Sequence, residues 1–363
     1  MGTIDFDELM KQAEEAEKQL LEGMPEEQQK ILENAEKLIC ETMGVSSVEE
    51  MLKLSPETLM KQAEAFNARS EAMLRERMGD ETFAEMMALE KQMREESRND
   101  FYQECYENSP ADTKLAEAIK KVTRNAVYFD YETDISEIPC GNTKFGGRPD
   151  VPSDFEWLRA ADGRPLAFLA QFNLSELEAY DISNELPKKG MLYFFYDLED
   201  MPWDSDDGGA RVYYSDNASE LSPADFPEDI CEECIVEECA LKLEAVNDAP
   251  QYEDFDFVSE SQCDDYGTYL SSVKEALGFA PEQRGDIRCK LLGYSDIIQN
   301  SVLEEFAFND ENDDWTLLAQ FDTYENGSSY IMYCDGGRIY FGIRKQDLAA
   351  GNFDNIKLIL QCF

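Results

Sequence analysis

Two spacings of apolar residues divide the chain. In residues 1–110 the apolar side chains recur every three or four positions, which is typical of helices with one buried face. Pro25 and Ser47 stand where such helices begin. From Asn125 onwards, short runs of β-branched and aromatic residues alternate with Gly, Pro and Asp turns, as in antiparallel strands. This pattern predicts an α+β fold, with a helical N-terminal region at residues 1–110 and a β-rich domain at residues 111–363.

The predicted strands repeat part of their own sequence. The clearest ones lie at residues 166–172, 191–196, 211–214, 315–321, 330–334 and 338–343. Residues 168–173 read FLAQFN and residues 317–322 read LLAQFD, and in each case a turn containing Gly and an aromatic strand follow. This echo predicts an internal duplication of a β unit. A chance match is the alternative, because the echo is short.

Two glutamines occupy equivalent places in the echoed strands. Gln171 and Gln320 both lie among apolar neighbours. A buried glutamine needs partners for both ends of its amide, so we expect each to hold backbone in place within its repeat. The alternative is that both line a shared cleft with Arg211, Asp322 and Asp335.

The charge of the chain limits its partners. The sequence has 79 acidic and 32 basic residues, a formal net charge of −47. This charge repels nucleic acid and anionic membranes and attracts basic proteins or divalent cations. We therefore expect no binding to nucleic acid or membrane, and regard solubility as the plainest use of the charge. The sequence contains no histidine, which excludes Ser-His-Asp and Cys-His nucleophiles and His-ligated metals and favours a protein that is not an enzyme.

The sequence predicts a cytoplasmic location. No apolar run approaches the roughly 18 residues that a membrane span requires. The acidic start of the chain, from Met1 to Phe6, has no apolar signal region. In that compartment we expect the ten cysteines to be reduced thiols.

An acidic segment at residues 220–265 is predicted as an excursion from the β-rich domain, with a strand at 240–246 as the alternative. It contains the most metal-like spacing in the chain, because Cys231 and Cys234 form a C-x2-C pair and Cys239 follows. A second such pair is missing, so these cysteines are metal candidates by spacing alone and we predict no cofactor. The alternatives are zinc at these cysteines and calcium at two acidic turns that lack the EF-hand spacing.

A glycine loop with two cations is the best candidate for a small anion. It contains Lys144, Gly146, Gly147 and Arg148, and its backbone N–H groups would suit a carboxylate or a phosphate. The glycine spacing matches neither the Walker A phosphate loop nor the dinucleotide-binding fingerprint. We expect a tight turn whose glycines adopt positive φ, with an anion site as the alternative.

Several motifs follow one another in the β-rich region. They include TKFGGRP at 143–149, PLAFLAQFNLSEL at 165–177, LLGY at 291–294 and DGGRIYF at 335–341. Their order resembles that of YwqG-like proteins, and the resemblance covers residues 115–363. The resemblance implies an α+β domain rich in antiparallel strands and brings no catalytic residues, since the biochemical function of the family is not established. Related sequences often carry His just before the LLGY motif, where this chain has Cys289 and Lys290.

Two functions from different classes follow. The first is a non-enzymatic interaction protein that binds a basic protein partner, in the manner of an immunity protein or inhibitor. The second is a small-ligand-binding domain, or an enzyme without histidine, that uses a cleft around Lys144, Arg148, Arg211 and Asp335. A flat acidic face would favour the first function, and a deep pocket with converging cations and carboxylates would favour the second. The sequence predicts neither the oligomeric state nor the role of the helical arm.

Overall fold

The protein is described by a computed structural model over residues 78–132, 137–204, 208–218, 220–280, 288–308, 314–326, 329–334 and 336–362. The chain divides into two compact units, residues 1–96 and residues 97–363. The boundary between them falls within the first described helix, α1 (Asp80–Asn108). The helices predicted to begin at Pro25 and Ser47 lie outside the described residues.

Short helices connect the strands of the second unit. They are α2 (Thr113–Val122), α3 (Leu174–Leu177), α4 (Tyr252–Val258), α5 (Tyr266–Leu277), α6 (Val302–Ala307) and α7 (Lys345–Ala350). Two of them begin with an aspartate cap, because Asp112 accepts hydrogen bonds from the first N–H groups of α2 and Asp265 accepts one from Thr268 of α5. In the described part of the chain, every helix is too short or too polar to cross a bilayer.

One large antiparallel sheet organises the second unit. The strands of the described residues are β1 (Arg124–Glu132), β2 (Lys144–Phe145), β3 (Asp150–Val151), β4 (Ala167–Asn173), β5 (Met191–Tyr196), β6 (Ala210–Ser215), β7 (Ser222–Pro223), β8 (Cys239–Asp248), β9 (Lys290–Leu292), β10 (Trp315–Phe321), β11 (Tyr324–Asn326), β12 (Ser329–Ile331), β13 (Arg338–Arg344) and β14 (Ile356–Gln361). The order in the sheet is β14-β13-β10-β9-β1-β8-β2-β4-β5-β6. The two edges meet, since Asp204 bridges Ile359 and the N–H of Leu360 donates to the carbonyl oxygen of Trp203 at 2.9 Å. The sheet is therefore a nearly closed barrel, and the predicted β-rich α+β class is confirmed.

Aromatic side chains fill the inside of this barrel. Phe172 of β4 and Phe194 of β5 lie in one cluster with Phe321 of β10 and Phe341 of β13, and the ring centroids of Phe194 and Phe341 are 5.1 Å apart. Phe129 of β1 contacts both Phe172 and Phe321. These rings are fully or almost fully buried. Because side chains occupy the interior, a binding site has to lie on the outside of the sheet.

The sheet consists of two similar halves whose first strands are exchanged. The strands β1, β2, β4, β5 and β6 correspond in chain order to β8, β9, β10, β13 and β14. In space, however, β1 pairs with β9 and β8 pairs with β2. Both Gln-containing strands carry a bulge at the same place, between Phe168 and Ala170 in β4 and between Leu317 and Ala319 in β10. The predicted duplication is thus present in the topology, and β8, from the acidic segment, is a central strand.

The turns after β2 and β9 share an unusual backbone. Gly146 and Leu292 both have φ near +60°, and Gly147 and Gly293 follow with φ of +69° and +74°. At Gly146 a β-carbon would lie 2.1 Å from the carbonyl oxygen of Glu237. The first turn therefore needs glycine for its conformation and also for close packing against the residues before β8.

This packing predicts a large cost for Gly146→Ala. We expect the free energy of unfolding to fall by about 3 kcal/mol or more, because backbone strain and a clash with backbone add together. Gly163→Ala is the matched control, since Gly163 has φ of +92° but no atom within 4 Å of the added carbon. Its cost should be near 1–2 kcal/mol, from strain alone. Equal losses in urea unfolding would show that the close approach at Gly146 carries no energy.

Candidate functional site

A buried lysine ties together the strands of the first half. Lys144 Nζ lies 2.7 Å from Glu238 Oε2 and 3.4 Å from Asp150 Oδ2. Gln171 donates its Nε2–H to the same Asp150 oxygen at 2.7 Å and accepts the backbone N–H of Asp150 at 2.7 Å. Tyr193 donates its hydroxyl to the carbonyl oxygen of Asp150 at 2.6 Å. The network holds the loop after β2 against β4 and β5.

The second half repeats this network. Lys290 Nζ lies 2.8 Å from both Asp248 Oδ2 and Asp296 Oδ2. Gln320 donates to Asp296 Oδ2 at 3.0 Å and accepts the N–H of Asp296 at 2.8 Å. Tyr340 donates its hydroxyl to the carbonyl oxygen of Asp296 at 2.7 Å. The duplication therefore extends from the strands to a buried set of polar side chains.

The charges of the second network are fixed. Burial alone would lower the pKa of Lys290, but Asp248 and Asp296 raise it well above its ordinary value. Burial likewise opposes the charge on Asp296, yet Lys290, Arg288 and Arg338 lower its pKa to about 2. Lys290 is thus an ammonium group at neutral pH and cannot act as a nucleophile or a base.

A pocket of about 310 Å³ lies beside the second network, and we name it the arginine–tyrosine pocket. Asp248 and Asp296 form part of its wall. The wall also contains three basic and five aromatic residues, which are Arg98, Arg288, Arg338, Tyr102, Tyr128, Tyr252, Tyr266 and Tyr269. Two of the tyrosines belong to α5 and one to α4, the helices between β8 and β9. The volume and the mixed aromatic and polar lining are typical of a small-molecule site.

One arginine of this pocket is held in a single orientation. Arg338 donates from Nε to Asp322 Oδ2 at 2.7 Å and from Nη1 to the carbonyl oxygen of Asp296 at 3.1 Å. The side chain is 14% exposed and forms part of the pocket wall.

Two tyrosines and one arginine of the pocket keep their protons near neutral pH. Burial raises the pKa of the phenols of Tyr266 and Tyr269, so both stay neutral. Burial would lower the pKa of Arg338, but Asp322 raises it above its ordinary value. Together with Lys290 and Asp296, these groups suit binding rather than proton transfer.

The loop beside the pocket is anchored by a buried acid. Asp254 of α4 accepts hydrogen bonds from Ser295 and Ser301, which flank Asp296 and Ile297 in the chain. Burial raises the pKa of Asp254 to about 6, against the opposing effect of these hydrogen bonds. The stability of this loop therefore depends on pH.

The glycine loop predicted for an anion is engaged with the protein. The N–H of Gly146 donates to the carbonyl oxygen of Leu169, and that of Gly147 to the carbonyl oxygen of Val236. Arg148 lies 3.1 Å from Asp225 and is exposed. A cavity of about 420 Å³ adjoins Lys144, Gly147 and Arg148, so a cleft does exist there. Its cations are already paired with carboxylates.

The other predicted ligand residues divide into separate groups. Gln171 and Gln320 belong to the two different networks, and each holds backbone as expected. Asp322 pairs with Arg338. Arg211 is exposed on β6, at the edge of the sheet, and donates to the carbonyl oxygen of Ala210. Asp335 lies outside the described residues.

The C-x2-C pair is a disulfide in this structure. Cys231 and Cys234 are bonded, with their Cα atoms 5.2 Å apart across a short 3-10 turn. This corrects the expectation of reduced thiols at these two positions, because the turn brings them within disulfide range. Glu199 lies beside them, but bonded sulfurs offer no thiolate to a metal. Cys239 is not part of this group and lies 3.4 Å from the carbonyl oxygen of Glu132.

Cys289, which precedes Lys290 and the LLGY motif, is an interior residue. Its sulfur is 3.2 Å from the hydroxyl of Tyr131 and accepts the N–H of Asp322 at 3.2 Å. Burial raises the pKa of this thiol to about 12. A thiol that stays protonated is a poor nucleophile, so Cys289 contributes to packing.

Sequence reasoning missed most of the arginine–tyrosine pocket. Its arginines come from three distant segments, so no local motif marks them. The second network did leave a signal, because KFGGRPD at 144–150 and KLLGYSD at 290–296 share the Lys-x5-Asp spacing. Aligning the two stretches would have identified Lys290 and Asp296.

A comparison with family models finds a match for more than half of the chain. A family model described as domain of unknown function (DUF1963) matches residues 143–362, which extend from the start of the first network to the last strand. Among curated proteins no significant match is found.

The buried lysine networks predict a strong effect of Lys290→Met. The change removes the buried ammonium group that Asp248 and Asp296 share, so we expect a loss of about 3–5 kcal/mol in the free energy of unfolding. Lys188→Met is the control, because Lys188 and Glu178 form an exposed pair at 3.4 Å. It should change stability by less than about 1 kcal/mol. Similar values for the two variants in chemical unfolding would argue against a structural role of the buried charge.

The raised pKa of Asp254 predicts a pH-dependent difference between the wild type and Asp254→Asn. The folded pKa of about 6 exceeds the unfolded value of about 3.9, so the contribution of Asp254 is fully present below pH 4 and is lost as pH rises through 6. Between pH 4 and pH 7 the stability difference should move by about 2 kcal/mol in favour of the variant. Val258→Ala, which changes no titrating group, should show a constant difference. A constant difference for Asp254→Asn as well would contradict the raised pKa.

Proposed function

Because the chain belongs to the family of the domain of unknown function DUF1963, whose description assigns no activity, we propose a function from the geometry: non-enzymatic binding of a small organic anion in the arginine–tyrosine pocket. The observation that carries the proposal is the convergence of Arg98, Arg288 and Arg338 on one pocket in a chain with a net charge of −47. Cations are scarce in this sequence, and three of them in one concave site favour an anionic ligand.

Binding rather than catalysis is supported by the chemistry of the wall. Lys290 and Asp296 keep their charges and the buried phenols keep their protons across the neutral range. Such a wall provides fixed donors and acceptors, with aromatic faces for the apolar part of a ligand. No cofactor forms part of the proposal.

The pocket supports the ligand-binding hypothesis, although at a different place from the one predicted. The cleft predicted near Lys144 and Arg148 has these two cations in its wall, each paired with a carboxylate, whereas three arginines lie in the wall of the arginine–tyrosine pocket. Contact with a basic protein partner stays a prediction, as do the cytoplasmic location and the narrower resemblance to YwqG-like proteins. A wall rich in arginine fits an anion better than a basic partner.

The proposal predicts that binding depends on Arg288. Purified protein would be screened by thermal shift against small organic acids, amino acids and phosphate esters, and hits would be measured by calorimetry. Arg288→Gln should weaken a hit by about 10-fold or more, because a charge-assisted hydrogen bond is lost. Arg159→Gln, which removes an exposed pair with Asp229, should leave affinity unchanged.

A third variant compares the two clefts. Arg148→Gln changes the cavity beside the glycine loop. If Arg148→Gln abolishes binding while Arg288→Gln does not, the cleft near the glycine loop is the site and the proposal is wrong. If no anion binds the wild type, the proposal fails altogether.

A further inference from the structure

We propose that the ligand of the arginine–tyrosine pocket is a zwitterion, namely an α-amino acid with an apolar or aromatic side chain. The inference rests on the proposed function and specifies its ligand class. Its starting point is that carboxylates and cations face the same pocket.

The carboxylates of the wall have unused oxygens. Asp248 and Asp296 each direct Oδ2 to Lys290, and these oxygens also accept from the N–H of Tyr294 and from Gln320. The Oδ1 atoms of both residues have no partner among the described residues. Neither Oδ1 atom is among the fully buried polar atoms without a hydrogen-bond partner, and both residues line the pocket. Each side chain is about nine-tenths buried, so its Oδ1 atom can accept a hydrogen bond from a ligand.

The carboxylate of the ligand would lie at the arginines of the wall. Arg338 lies in the wall, and Asp322 and the carbonyl oxygen of Asp296 hold its guanidinium group in place. Arg288 lies close enough to lower the pKa of Asp296, so guanidinium and carboxylate groups are neighbours there. A ligand carboxylate at Arg338 would consequently place an adjacent ammonium group near Asp296.

The balance of charge favours a zwitterion over a dianion. Both signs of charge occur in the wall, since Arg98, Arg288 and Arg338 lie there together with Asp248 and Asp296. A phosphate dianion at Arg338 would lie beside ionised Asp296 and be repelled by it. An α-amino acid places one charge of each sign on neighbouring atoms and matches the two kinds of group in the wall.

The remaining wall fits an apolar side chain. Tyr252 and Tyr269 pack with their ring centroids 5.4 Å apart, and Tyr252 is at the same distance from Tyr266. Leu270 and Val273 of α5 lie in the same wall. Aromatic faces of this kind stabilise aromatic and aliphatic groups by contact.

The test varies the charged groups of the ligand and leaves Asp248 and Asp296 unchanged, because their replacement would disturb folding. Binding of L-phenylalanine, L-tyrosine, L-leucine and L-methionine to the full chain would be measured by calorimetry. The best binder would then be compared with its analogues without the ammonium or without the carboxylate. For phenylalanine these are 3-phenylpropionate and 2-phenylethylamine. Each analogue should bind at least about 10-fold more weakly, because each loses a charge-assisted contact.

The variant Arg288→Gln tests whether the carboxylate end of the ligand lies at the arginines. Arg288→Gln should weaken the amino acid by about 10-fold or more and change the affinity of the amine analogue by less than about 2-fold. An equal loss for both would overturn the assignment of the carboxylate to the arginines.

The outcomes separate this inference from the function on which it rests. If the analogue without ammonium binds as well as the amino acid, the zwitterion is wrong while binding of an anion stands. The same holds if a phosphate ester or sugar acid binds and no amino acid does. If no ligand binds at all, both the inference and the proposed function fail.

Discussion

A buried lysine held against two carboxylates, one of which is tied to a glutamine, occurs twice in the sheet, and the loops outside the barrel depend on it. Burying one charged group costs several kcal/mol unless opposite charges and hydrogen bonds compensate for it. Here Asp150 and Asp296 provide both, since each forms an ion pair with a lysine, accepts a hydrogen bond from a glutamine and donates its own N–H to that glutamine. The loop cannot shift without separating charges inside the protein. The turn of the chain after β2 and β9 is therefore fixed by electrostatics as well as by its backbone conformation.

The exchange of first strands links the two halves. Lys290 of the second repeat lies beside Tyr128, which belongs to the first repeat, and its Nζ is 3.0 Å from the tyrosine hydroxyl. Lys144 in turn finds Glu238 at the start of β8. The first network thus takes one of its carboxylates from the other repeat, whereas both carboxylates of Lys290 belong to its own repeat and only the Tyr128 hydroxyl comes from the first. The halves have also diverged, because Glu238 is 41% exposed while Asp248 is buried. Helices α4 and α5 cover the second network, whereas the described part of the β1–β2 connection, residues 137–143, contains no helix.

The sequence predicted the features that depend on local pattern. Alternating aromatic runs predicted the strands, and the repeated AQF triplet predicted the duplication, because strand formation and burial leave a periodic record in the chain. The pairing of β1 with β9 could not be predicted in this way, since the exchange of first strands changes which strands pair and does not change their composition. The role of Gln171 and Gln320 followed from the need of a buried amide for partners. The arginines of the pocket could not be predicted, because only the fold brings Arg98, Arg288 and Arg338 together.

The net charge of the chain determines at what distance the arginine–tyrosine pocket can attract an anion. A surface with a charge of −47 repels anions at long range, so an anion reaches this protein against an unfavourable field. The guanidinium groups act over the last few ångströms, where the low dielectric of a pocket strengthens them. Salt screens the distant surface charges more than the enclosed ones, because its screening length is about 8 Å at physiological strength. The pocket thus selects ligands at short range, and among ligands with a carboxylate, one that also carries a positive charge meets a smaller barrier on the way in.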